Sequence, residues 1–116
     1  VNPIPYYKLF LTFVLPCACL LWRPVWAQDD GLALARARQC LACHQIDQKR
    51  VGPSFLLIRA RFLGDLAAIP YLAQSIRQGG RGRWGVVPMP SQPQVNQAEA
   101  EKLAQWILRL VPEETP

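Results

Sequence analysis

Cys40-Leu41-Ala42-Cys43-His44 is a C-x-x-C-H stretch, the arrangement through which c-type haem is attached covalently. Two thiols three residues apart lie on nearly the same side of a helical turn, so both can add to the two vinyl groups of one porphyrin edge. His44 follows where an imidazole can ligate the iron from the proximal side, and it is the only histidine in the chain. A thioredoxin-like dithiol would need a βαβ context, which the surrounding sequence lacks. A structural zinc needs a fourth ligand, and past residue 27 the thiol and imidazole donors number only Cys40, Cys43 and His44. An iron held by His44 needs a second axial ligand or an open position. The single methionine, Met89, sits in Pro88-Met89-Pro90 and is the expected sixth ligand. Its flanking prolines fix φ and remove amide donors, which holds the side chain in place at little entropic cost; gap-filling in a core suits such a loop poorly.

Outward from the motif, the pattern predicts short helices. Asp29 and Asp30 suit the start of an Ala-rich helix over Leu32 to Gln39 that leads straight into Cys40. Pro53 and Ser54 precede Phe55, Leu56, Ile58 and Phe62, a second short helix, although by periodicity alone this apolar run also fits a strand. Pro70 fits the first turn of a third helix carrying Leu72 and Ile76, and Gly79-Gly80 offers its left-handed stop. Asn96 and Glu99 read as a capping box before a last helix with the apolar stripe Ala100, Leu103, Ile107 and Leu110, bordered by Trp106. Arg109 lies at its negative end and Pro112 beyond. Between Gly79 and Asn96, four glycines and three prolines exclude a helix or a central strand, and loops this long in small domains usually carry function.

The 116 residues hold at most one modest domain, which excludes multidomain enzymes. Residues 1–27 read as a secretory signal: Lys8, the apolar run Leu9 to Trp22, then Val25-Trp26-Ala27 with cleavage expected after Ala27, leaving residues 28–116 as the haem domain. Retained as an anchor, fourteen apolar residues at about 1.5 Å each span about 21 Å, short of a ~30 Å hydrocarbon core, and Pro16 interrupts them. Cys17 and Cys19 are then ordinary apolar residues of a discarded segment, because Leu15 and Pro16 are poor neighbours for lipid attachment. The chain carries 13 Lys+Arg against 8 Asp+Glu; without residues 1–27 it loses Lys8 and Arg23, keeps every acid and falls to a formal +3. That mild charge, with scattered arginines and no basic stripe, argues against nucleic acid.

Taken together, Cys40 to His44, Val51-Gly52-Pro53, Gly82 with Trp84-Gly85, Pro88-Met89-Pro90 and Leu103-Ala104-Gln105-Trp106-Ile107-Leu108 resemble the small bacterial class I cytochromes c of the c551/c552 type, over residues 30 to 111. The resemblance implies an all-α fold in which short helices wrap one haem, the first and last helices cross and the middle helices close the pocket. It further implies that the Pro53 carbonyl accepts the free ring N–H of His44 and that Trp84 donates its indole N–H to a haem propionate, where simple packing of the large ring is the competing reading. Arg81 and Arg83 can pair with propionates, line a docking rim or stand as solvated loop charges. Three positions depart from the pattern: Ser75 stands where an arginine often meets a propionate, with Arg77 close by; Gln92 stands where an asparagine often reaches the methionine sulfur; and Ala35 stands where an aromatic often packs on the last helix.

Histidine plus thioether favours ferrous iron, and two filled axial positions leave no site for oxygen, peroxide or substrate. The expectation is a periplasmic monohaem electron carrier and not an enzyme. By resemblance, it runs from a quinol-oxidising complex or dehydrogenase to an oxidase, peroxidase or nitrogen-oxide reductase, and touches a membrane only if residues 1–27 are retained. Two other readings stay open: a tightly bound haem c subunit of a periplasmic oxidoreductase complex, and a haem sensor or latent peroxidase in which Met89 lets go.

Overall fold

Asn96 and Glu99 start the longest helix among the described residues, as their spacing predicts. The Asn96 side chain accepts from the Glu99 N–H at 2.9 Å, and the Glu99 carboxylate accepts from the Asn96 N–H at 3.1 Å. This computed structural model describes residues 29–112, so residues 1–27, read as the signal segment, lie outside the described residues. Its elements are α1 (Asp29–Ala37), a 3₁₀ turn (Cys40–Ala42), α2 (Phe55–Phe62), α3 (Ala68–Gln78) and α4 (Gln97–Arg109). Among the described residues the sole β pairing is the isolated bridge between Gly80 and Met89, and no helix is long and apolar enough to cross a membrane.

Most local signals act where they stand. Ser54 caps α2 by accepting from the Leu57 N–H at 3.1 Å, which settles helix over strand for that run. Pro70 lies in the first turn of α3, and Gly79, at φ 70°, ends it. Helix α1 differs from expectation at its end: it stops at Ala37 instead of running on to Gln39. Gln39 adopts φ 60°, the one non-glycine in the left-handed region among the described residues, and its N–H bonds the Arg36 carbonyl. That conformation breaks the helix and turns the chain into the 3₁₀ turn; a glutamine carries no local signal for it.

Helix α4 is the hub, packed most extensively on α3 and also on α1 and α2. Ala100, Leu103, Ala104 and Ile107 are buried, and Trp106, expected at the edge of the stripe, is 3% exposed and belongs to the core. A Cβ on Gly31 would fall 2.0 Å from Trp106 Cγ, so α1 crosses α4 at a distance only glycine permits. This close approach explains how Ala35, fully buried, serves where a larger ring was expected. Arg38–Glu99 and Lys102–Asp30 ion pairs tie α1 and the residue after it to α4.

Candidate haem site

The 3₁₀ turn places the two cysteines and the histidine on one tight loop. The Cys43 and His44 amides both donate to the Cys40 carbonyl, at 3.2 and 3.0 Å. The chain then folds back so that the Val51 and Gly52 amides donate to the Cys43 carbonyl, at 3.2 and 2.8 Å. Gly52 thereby lies against the imidazole: a Cβ there would sit 2.5 Å from His44 Cε1. His44 Nδ1 is 2.7 Å from the Pro53 carbonyl oxygen, so Nδ1–H donates and Nε2 is left free of hydrogen bonds among the described residues. The ring is 8% exposed and stacks on Phe55 at 5.2 Å and 19°, and Phe55 meets Trp106 edge-on at 5.1 Å. A chain of rings therefore runs from the core of α4 to the imidazole. Cys40 is half-buried and Cys43 exposed, and burial pushes the Cys40 thiol up.

Met89 is held by backbone, not by a helix. Its amide donates to the Gly80 carbonyl at 2.8 Å, and its carbonyl accepts from the Gly80 amide at 3.0 Å. Gly79 makes this possible twice over, since φ 70° suits glycine and a Cβ would lie 2.4 Å from the Met89 oxygen. Pro88 and Pro90 lack amides, so the single donor of the triplet is the one that pairs. The Gln92 amide N–H bonds the Arg77 carbonyl at 3.1 Å and closes the loop onto the end of α3.

One cavity is lined by Cys40, Cys43, His44, Pro53, Trp84 and Met89, so all six residues expected at the site meet there. The donor set fits a haem: two thiols and a free imidazole nitrogen from one loop, a thioether from another, and a lining with apolar side chains such as Phe55, Ile58 and Leu72 between them.

Other expectations are refined by the geometry. Trp84 lies under the Arg61 guanidinium, whose Cζ is 4.5 Å from the ring centroid, and makes no side-chain hydrogen bond among the described residues. The Gln92 side-chain amide donates to the Pro90 carbonyl at 3.1 Å and accepts from Gln94 at 2.7 Å, and Gln92 lines the cavity together with Met89. Arg77 donates to Gln97 at 3.0 Å and does not line the cavity, whereas Arg83 reaches Ser75 from the loop. Sequence reasoning missed Tyr71 as a lining residue and the pairing of Gly80 with Met89. The GG dipeptide signalled a turn but not a partner for it.

Comparison with known proteins agrees with this architecture. The family model described as Cytochrome c matches residues 28–110. Cytochrome c-552 of Hydrogenobacter thermophilus is 47% identical over 77 residues, covering 66% of this chain and 78% of its own length. Cytochrome c-551 of Pseudomonas aeruginosa is 41% identical over 104 residues, covering 90% and 95%. The crystal structure of Nitrosomonas europaea cytochrome c552 superposes with a TM-score of 0.67 at 42% identity, covering 69% of this chain and 99% of its own. The chain belongs to the cytochrome c family, as a small class I protein of the c551/c552 type with that all-α fold. Membership brings one covalently attached haem c, carried by Cys40 and Cys43 of the motif, and a role in electron transfer.

Proposed function

We propose that this chain is a periplasmic carrier that passes single electrons between respiratory redox partners through an iron ligated by His44 and Met89. The observation that carries the reading is the shared cavity: an imidazole pinned through Nδ1 at 2.7 Å to the Pro53 carbonyl and the chain's single methionine line the same space as both motif cysteines. Bound there, haem supplies one-electron chemistry between ferrous and ferric iron. The Pro53 carbonyl orients the imidazole and raises its basicity, so Nε2 is the ligating nitrogen. The Met89 thioether favours the ferrous state more than a second imidazole would. His44 and Met89 would hold the iron between them and leave no position for a substrate, which suits a carrier and not an enzyme.

Val51 and Val87 line the cavity and are 51% and 58% exposed, so the lip of the site is apolar and uncharged at these points. Such a lip suits brief docking of redox proteins, a quinol-oxidising complex or dehydrogenase as donor and an oxidase, peroxidase or nitrogen-oxide reductase as acceptor. Export to the periplasm rests on residues 1–27 as a cleaved signal.

Expression of the full chain beside a haem-attachment system tests the ligation. A low-spin haem c spectrum with a weak far-red sulfur-to-iron band, lost in Met89→Ala, is expected; a high-spin spectrum without that band overturns the reading. The reduced protein should resist carbon monoxide, since ready binding at neutral pH would indicate a sensor or latent peroxidase. Gel filtration of native extract should return a free small protein rather than the subunit of a larger complex. N-terminal sequencing of the exported protein should begin at Gln28.

A further inference from the structure

Haem c carries two propionate carboxylates, and the cavity that would take it supplies cations with no acids to match. The titratable groups lining it are Cys40, Cys43, His44, Tyr71, Arg81 and Arg83; no carboxylate lines it. Among the described residues both ion pairs lie elsewhere, at Arg38–Glu99 and Lys102–Asp30. The two arginines differ in how they are held. Arg81 makes no side-chain hydrogen bond among the described residues. Arg83 donates through Nη1 to Ser75 Oγ at 2.6 Å, stands 5.2 Å from the centroid of the Tyr71 ring and lies close to Gly80. Arg61 fixes the backbone beneath it, donating to the Arg83 carbonyl at 2.8 Å while covering the adjacent Trp84 ring. Ser75 Oγ is itself committed as a donor to the Tyr71 carbonyl at 2.8 Å, so its remaining capacity is to accept, which suits a guanidinium. One of five guanidinium N–H groups is thus used, and the planar fork remains able to take a carboxylate.

We infer that Arg83, seated on Ser75 and Tyr71 of α3, is the cation that binds one haem propionate in this protein. The inference rests on the haem site proposed above and deepens it: helix α3 supplies an anchor where a cation would otherwise stand, and the loop delivers the charge. Arg83 holds its propionate ionised, and Arg61 is a positioning residue that acts through the Arg83 backbone.

The test uses the haem-attached full chain with ¹³C-labelled propionate carboxyls, titrated by NMR. In Arg83→Gln one propionate should become about tenfold weaker as an acid while the other stays where it was. Arg83→Lys should restore most of the shift, and Ser75→Ala should move the same propionate by a smaller amount in the same direction. Arg77→Gln, whose guanidinium is engaged with Gln97, should move neither. Unmoved propionates in Arg83→Gln, or a shift produced by Arg81→Gln instead, would overturn the assignment. The far-red band of the unmodified protein decides His44/Met89 ligation separately. The titration needs only attached haem, so each claim can fail without the other.

Discussion

The segment that carries His44 and the segment that carries Met89 meet at one cavity but are held by different physics. His44 is backed by Phe55, then Trp106, then Gly31, a stack that ends in the interface between α1 and α4. Met89 lies in a loop without regular structure, fixed by two backbone hydrogen bonds to Gly80 and bordered by Val86 at 96% exposure. Core packing makes the first position inseparable from global stability. A few semi-exposed hydrogen bonds make the second able to open by itself. The comparison teaches that one proposed haem ligand is a property of the fold and the other of a local clasp, so on heating the Met89 band should fade before helical circular dichroism does.

The strongest way to break the contrast is Trp106→Ala, which empties the core behind Phe55. It should cost about 3–5 kcal/mol, with helix content and the haem spectrum lost together in denaturant titration. Gly79→Ala attacks the other segment. Its left-handed φ and the Met89 oxygen in its path should cost about 1–3 kcal/mol, read as early loss of the far-red band while circular dichroism persists. Asn96→Ala removes half of the α4 capping box, with about 1 kcal/mol lost from the global transition and no separate effect on the band. Gln39→Gly should stabilise by under about 1 kcal/mol, the relief of a left-handed residue partly offset by the greater freedom of unfolded glycine.

The smallest effect is on pH. The side-chain hydrogen bond from Arg38, followed by the backbone bond from Asn96, holds the Glu99 carboxyl below the usual carboxylate range. Its contribution is therefore present above the unfolded carboxylate pKa and is lost as pH falls through the lower folded value. Melting temperature should decline slightly on acidification through that window, and Glu99→Gln should flatten this part of the profile.

Legibility followed the range of the forces involved. Capping by Asn96 and Ser54, the stop at Gly79 and the attachment motif are contacts within a few residues, and the sequence shows them directly. The expected end of α1 failed at Gln39 because its left-handed turn lets α1 dock on α4 and still hand the chain to Cys40, a demand made by distant residues. Trp106 was placed at a border because helical periodicity does not report that Gly31 would lie on it. The engagement of Arg77 with Gln97 was illegible for the same reason, since that partner is twenty residues away.

By itself the sequence determined the cofactor chemistry, the identity of both candidate axial ligands and the helical class, because these depend on residue type and short spacing. The tertiary structure alone decided that Gly80 clasps Met89 and that Arg83 is seated on Ser75. Each of these joins segments whose meeting depends on how the helices pack, and packing is a sum over the whole core that no local pattern contains.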